Sequence, residues 1–413
     1  MHKNATHKNA IGIHGYRWVI LSVFSLITAV IQIQWLTFAP IAREAKLFYD
    51  VSALAIDFLS LIFMGVFLIV CIPASWFIHT FGIKKGLGLG AVLTGIFGLM
   101  KGFFPHDYTL VVIAQTGLAV AQPFILNAAT QVAATWFPLG ERAIAVGIAT
   151  LAQFVGIIIV MIFTPLMIET GSAGTFDLSG MLMTYGLISA VGAVILLIFF
   201  KEKPVDLNDP IVPEKSLGIS ASFTHILTRP DMKLLFPLFF IGLGLFNAVS
   251  TCIDQICQAK GLTIEQTGMI GGIMLVAGII GALILPLLSD RSQKRKAFII
   301  LAMAGMTPGL AGLVVANDFI LLLGSSFIFG FFLLGAGAPV GFQYCAEITS
   351  PAPESISQGL LLLTGQVSGI IFILFMNLAG MGISMLIFLM LAIVNIGLSL
   401  ALKESHMMLE KNT

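Results

Sequence analysis

The chain has 413 residues, of which 58% are hydrophobic and only 10% charged, and its mean hydropathy is +1.03. That balance excludes a soluble globule of this size, and a formal net charge of +1 excludes a nucleic-acid binder that works through bulk charge. The apolar runs are about twenty residues long, enough to cross roughly 30 Å of hydrocarbon as helices and too long for the short alternating strands of a membrane barrel.

The N-terminal stretch, Met1 to Gly15, is polar and carries His2, Lys3, His7, Lys8 and His14. It lacks the short apolar core and small-residue cleavage site of a signal peptide, so the first apolar run is expected to be a retained helix. Runs of sufficient length fall at 18–41, 58–79, 86–104, 109–136, 143–168 and 178–200, then at 233–258, 265–288, 297–316, 319–346, 356–379 and 381–402. The expected plan is an all-α membrane protein of twelve transmembrane helices in two six-helix halves, 18–200 and 233–402. A polar linker (201–232) joins the halves, and short tails (1–17 and 403–413) flank them.

With both ends on one side, 17 of the 21 Lys and Arg residues fall on the side of the termini and linker. Arg43, Lys46, Lys101 and Lys260 are counted in the loops on the other. The positive-inside rule then makes both termini cytoplasmic, and the expected location is the cell membrane. Cys71, Cys252, Cys257 and Cys345 lie in apolar runs without CxxC spacing, so they read as packing, with no metal and no disulfide framework. No nucleotide-binding, zinc-protease or triad motif stands in a credible context, and neither enzyme activity nor a cofactor is expected.

The halves repeat. Pro138, Glu141, Gln153 and Gly156 recur as Pro351, Glu354, Gln366 and Gly369, each displaced by 213 positions. The basic loop after the second helix (His79 to Lys85) is matched by Asp290 to Lys296 after the eighth. Parallel halves with such loops resemble the major facilitator superfamily, which implies a substrate site between the halves near the bilayer midplane. Several motifs narrow the resemblance: Arg17-Trp18, Gln34-Trp35, Asp57 with Leu59-Ser60, and Pro73 to Trp76. Ala121 to Leu126, Trp136-Phe137 with Glu141-Arg142, and Ala346 to Thr349 add to them in the same order. Together they look like the family of the feline leukaemia virus subgroup C receptor, whose members have been linked to choline and ethanolamine transport, to haem export and, more distantly, to pyridoxine.

Two amides and an indole in the run Gln32 to Pro40 are costly in lipid and are expected to face protein or a water-filled cavity. By depth, Gln122, Gln153, Asn247 and Gln366 share the level of the bilayer centre, with Trp35 roughly 8 Å further out at about 1.5 Å of rise per residue. Each amide reads either as a wall for substrate or as an interhelical clamp. Trp35 reads as a cation contact, because indole faces attract quaternary ammonium groups, or as part of the interfacial belt to which Trp18, Trp76 and Trp136 are assigned. The resemblance implies that Trp35, Gln122 and Gln366 hold the substrate. It also implies an aromatic partner on helix 7, where this chain has Asn247; Phe246 and Tyr344 are the nearest substitutes.

Asp254 reads as a carboxylate that recruits a cation or proton, or as a solvated helix end. Asp57 and Glu347 read as caps or gate salt bridges. The gating loop resembles the superfamily's pattern through Asp290 and Arg291, with Glu141, Arg142 and Glu354 as partners for the latch. The expected function is a monomeric alternating-access uniporter in the lipid bilayer for a small organic cation or amino alcohol. Haem export, proton-coupled transport of another small metabolite, and a non-transporting receptor are the alternatives. None of the seven histidines lies deep in a helix, which disfavours axial haem ligation inside a cavity.

Overall fold

The structure, a computed structural model, describes residues 2–138, 141–170, 176–201, 219–352 and 354–405. Most of the expected linker (202–218), the end of the C-terminal tail (406–413) and the side chain of Glu354 lie outside them. Twelve helical stretches among the described residues are long and apolar enough to span a membrane. The chain divides into two compact units, residues 1–38 with 44–208, and residues 39–43 with 209–413.

The N-terminal unit contains α1 (His2–Trp35), α2 (Ala42–Tyr49) from Glu44 on, α3 (Ala53–Phe81) and α4 (Ile83–Phe103). Next come α5 (Tyr108–Leu126), α6 (Ala129–Trp136) and α7 (Arg142–Leu166). A two-stranded ribbon, β1 (Glu169–Thr170) and β2 (Phe176–Asp177), leads into α8 (Ser179–Phe199). Local chemistry sets these boundaries. The Ser52 hydroxyl accepts from the Ala55 amide at the start of α3, and the Asp107 carboxylate accepts from Leu110 at the start of α5. Gly82, at φ +94°, makes the tight α3–α4 turn, a backbone region that a side chain rarely adopts.

The C-terminal unit begins with α9 (Ile219–Thr228), inside the expected linker, and α10 (Pro230–Thr251), which Pro230 opens from its first turn. There follow α11 (Ile253–Gln258), α12 (Ile264–Ser292), α13 (Arg295–Val315) and α14 (Phe319–Phe332). A π-helical turn, Leu333–Gly337, joins α14 to α15 (Ala338–Thr349), and α16 (Glu354–Ala379) and α17 (Met381–Ala401) complete the unit. Thr263 and Gln266 form a reciprocal capping box on α12.

Four spans are irregular where the apolar runs are continuous. The first breaks at Leu36–Phe38, the fourth at Asn127–Ala128 after Pro123, the seventh at Cys252 and the tenth at the π turn. These breaks recur at every third span. In hydrocarbon, broken backbone is tolerated only where protein or a wet cavity satisfies its polar groups, so the pattern marks the helices on which polar function is concentrated. The tryptophans divide accordingly: Trp18 and Trp76 are exposed, as a lipid belt requires, whereas Trp136 is buried beside Tyr16.

Candidate substrate site

Helix α1 ends inside the polar stretch that the sequence singled out. The Thr37 hydroxyl folds back onto the Ile33 carbonyl at 2.8 Å, and Pro40 has no amide with which to continue a helix. Below the break, three amides form a relay. Gln122 Nε2 on α5 donates to Gln32 Oε1 at 3.2 Å, and Gln32 Nε2 donates to Gln153 Oε1 on α7 at 3.1 Å. Gly156, one turn from Gln153, faces the Ala29 carbonyl so closely that a β-carbon would collide with it. That contact brings α7 onto α1 and closes the relay. Gln32 is the hub, a role the depth argument did not give it.

Gln34, two residues along, points to a different side of the helix at 100° per residue. Its amide donates to the Tyr185 carbonyl at 3.0 Å and to Ser189 Oγ at 2.7 Å on α8, so it is an interhelical clamp. Trp35 is 8% exposed, and its indole N–H has no hydrogen-bond partner. A buried donor without a partner costs about 1–3 kcal/mol, a cost that a ligand or water would remove.

In the C-terminal unit the Asn247 amide donates to the Gly365 carbonyl at 3.0 Å, joining α10 to α16. The pairing of the seventh span with the eleventh thus parallels that of the first with the fifth through Gln32 and Gln153. Gln366, the next residue on α16, is half-buried and bonds to no described residue. Ser250 and Thr251, one turn beyond Asn247, are buried with unpartnered hydroxyls and were not anticipated. Phe246 is turned into the interior of the unit, where it lines a small cavity with Phe239, Met303 and the π turn. Tyr344 is fully buried and donates to the Lys403 carbonyl at 2.9 Å, so it is committed to packing at the end of its unit.

The charged residues depart from expectation in three places. Asp254 is not a solvated helix end: it is fully buried, and Arg43 Nε donates to its Oδ1 at 2.8 Å. Arg43 supplies this buried carboxylate with hydrogen bonds and a compensating charge. Secondly, the base that meets Asp290 is Arg295 and not the exposed Arg291; Arg295 also donates to Glu347 Oε1 at 3.0 Å. Thirdly, Lys101 does not sit in a solvated loop but is fully buried on α4. Glu141 pairs with Arg17 at 2.9 Å, while Arg142 Nε donates to the Phe137 carbonyl at 3.2 Å. Asp57 is buried one turn into α3 and has a partner.

The Major Facilitator Superfamily model matches residues 20–373. The human choline/ethanolamine transporter FLVCR2 is 31% identical over 86% of this chain and 70% of its own length. An uncharacterized MFS-type transporter of Caenorhabditis elegans, C09D4.1, is 26% identical over 86% of this chain and 63% of its own length, so the chain spans less than two thirds of that relative. Among solved structures, a bacterial homologue of the human lysosomal transporter Spinster aligns with a TM-score of 0.73 at 15% identity, covering 96% of this chain and 98% of that one. The D-xylose-proton symporter aligns with a TM-score of 0.71 at 14% identity, covering 94% and 98%. The fold and the family therefore agree: the chain is a multi-pass membrane transporter that belongs to the Major Facilitator Superfamily, in the group that includes the FLVCR choline/ethanolamine transporters.

Proposed function

We propose that this transporter carries a small organic cation or amino alcohol of the choline and ethanolamine class by facilitated alternating access. The observation that carries the reading is Trp35: an indole with an unpartnered N–H, at a helix break, immediately above the Gln122–Gln32–Gln153 relay. An indole face binds a cation by roughly 0.5–2 kcal/mol, and the relay presents amide groups suited to a hydroxyl. Gln366, free of hydrogen bonds to described residues, is the corresponding contact in the C-terminal unit. The relatives named as choline/ethanolamine transporters support the substrate class. Asn247 in place of an aromatic weakens the cage for a trimethylated head, which favours amino alcohols with free N–H groups that amide oxygens can accept. In the mechanism, Asp57 and Asp254, with Glu141, Arg142, Asp290 and Glu347, take part in the ion pairs and caps that hold individual states.

Uptake of labelled choline and ethanolamine into proteoliposomes tests the proposal. Saturable uptake is expected for the native chain, with Trp35→Ala raising KM about five- to thirty-fold, the equivalent of roughly 1–2 kcal/mol. Uptake that is absent, or indifferent to Trp35→Ala, rules the assignment out.

A further inference from the structure

In the C-terminal unit a groove of about 490 Å³ runs between α10, α16 and α17. Phe236, Pro237 and Phe240 form its floor, with Thr364 and Phe372 on one wall and Leu391 on the other. Among the described lining residues only Thr364 is polar, and its hydroxyl is spent on the Leu360 carbonyl at 2.8 Å. Nothing in the groove suits water or a polar substrate. A space of that size without polar partners holds hydrocarbon or remains a costly void. Its lips carry Val367 on α16 and Val394 on α17, one turn from Thr364 and Leu391, and both are exposed, as side chains that meet lipid are. Toward the far end of α10 the groove closes. A β-carbon at Gly244 would stand 2.9 Å from the Phe372 ring, which also stacks on Phe388 at 4.8 Å.

The start of α10 carries positive charge on the same face. At 100° per residue, Lys233, Phe236, Pro237 and Phe240 fall within one arc of about 100°, and Arg229, at the N-cap, precedes them in the same register. Lys233 is exposed, and neither it nor Arg229 forms an ion pair with a described residue. The Nε of Arg229 is buried without a hydrogen-bond partner. Asp231, the acid nearest in sequence, lies about 160° round the helix from Lys233. At 1.5 Å per residue, Lys233 stands about 10 Å from Phe240 along the axis, and Leu391 is the midpoint of α17. The cations therefore lie at headgroup level and the groove at chain level, within one leaflet of roughly 15 Å.

We propose that this groove binds an anionic phospholipid of the leaflet on the linker side, with its phosphate on Arg229 and Lys233 and one acyl chain along α10 between α16 and α17. The guanidinium donates to phosphate oxygens and the ammonium adds a point charge beside it. A free phosphate would leave the groove empty, and a neutral lipid or a second copy of the chain would leave the cations unpaired. A lipid so seated braces α10, which carries Asn247, against α16, which carries Gln366. That consequence for transport rests on the substrate proposed above; the lipid site does not.

Native mass spectrometry of the full chain in detergent, titrated with dioleoyl phosphatidylglycerol or dioleoyl phosphatidylcholine, tests the site. The native chain is expected to hold one phosphatidylglycerol more tightly than phosphatidylcholine. The double variant Arg229→Gln with Lys233→Gln is expected to bind phosphatidylglycerol about thirtyfold more weakly, about fivefold per cation, with phosphatidylcholine unchanged. Leu391→Trp and Thr364→Phe fill the groove from its two walls and are expected to weaken both lipids. Equal affinity of the native chain for the two lipids, or a double variant that binds like the native chain, overturns the phosphate contact. Unchanged binding in both groove variants reduces the site to a surface charge pair and overturns the groove, as do dimers of the chain that form in place of bound lipid. The double variant changes only the helix start, so it decides the question where a groove variant does not fold. Uptake of labelled choline and ethanolamine into phosphatidylcholine vesicles with and without phosphatidylglycerol reads the effect on transport. Faster uptake with phosphatidylglycerol is expected in the native chain and not in the double variant, and native uptake that ignores the lipid overturns the bracing. No uptake at all refutes the substrate assignment, while the mass spectra still decide the lipid site.

Discussion

Arg43 grips Asp254 from two sides: its backbone amide donates to Oδ2 at 2.7 Å, and its Nε donates to Oδ1 at 2.8 Å. The same guanidinium reaches the Leu262 carbonyl at 2.7 Å, so one side chain ties α11 to the loop before α12. Residues 39–43, which continue the chain beyond the α1 break, belong by packing to the C-terminal unit. The fully buried carboxylate has lost its water, and Arg43 replaces those hydrogen bonds together with a compensating charge.

Removing one member of such a pair leaves the other buried without compensation. Asp254→Asn, which keeps the shape and loses the charge, is expected to cost about 3–5 kcal/mol. Arg43→Gln in the same chain should recover part of that loss, because the two residues share one interaction. Thermal unfolding of the two single variants and the double variant measures the coupling, and strictly additive losses would contradict the pairing.

Arg295 yields a graded test within the C-terminal unit. It meets Glu347, whose side chain is 5% exposed, and Asp290, whose side chain is 59% exposed. Solvent screens the second contact. Glu347→Gln is therefore expected to lower stability by about 3 kcal/mol and Asp290→Asn by 1 kcal/mol or less. Arg291→Ala, at an exposed position, should fall within about 0.5 kcal/mol of the native chain. If Arg291→Ala were the most damaging of the three, the assignment of Arg295 as the paired base would fail.

The spans were legible because hydrocarbon imposes length and apolarity on any helix that crosses it, and nothing subtler is needed to find them. The interruption in the seventh span was not: Cys252 is as apolar as an unbroken helix, whereas Pro40, Pro123 and, just after the π turn, Pro339 leave local marks in the other three. Gln122 and Gln153 could be placed by depth. Their junction at Gln32 could not, because it depends on the Gly156–Ala29 approach, which is a matter of three dimensions. Lys101 was misjudged because a lysine near a helix end normally snorkels to water, whereas here α4 packs so tightly on α8 that it turns inward.

The N-terminal unit also predicts a pH response. Asp177 accepts from the Ser179 amide at 2.9 Å at the start of α8, and the Ser179 hydroxyl and amide together hold its carboxyl below the ordinary range. A carboxyl lowered in the native state stabilises it above about pH 4, the unfolded value, and that stabilisation disappears as pH falls through the native value. Asp177→Asn should therefore reduce the melting temperature slightly at pH 7, with the difference from the native chain vanishing below pH 4. A difference that grows on acidification would contradict the hydrogen-bond assignment.

Neighbouring amides in the C-terminal unit are expected to behave differently. Asn247 spends its N–H on the Gly365 carbonyl between α10 and α16, whereas Gln366 bonds to no described residue. Asn247→Leu removes an interhelical hydrogen bond, worth about 0.6 kcal/mol on average in membrane helices and up to about 1.7, and should register mainly as a lower melting temperature. Gln366→Ala removes no hydrogen bond to a described residue. It should leave the melting temperature unchanged and raise KM for choline or ethanolamine about tenfold, the equivalent of one hydrogen bond to a charged or polar ligand. Running melting and uptake on the same two preparations separates the roles: an unstable Gln366→Ala chain with native KM would make Gln366 a clamp like Asn247 and remove it from the substrate contacts.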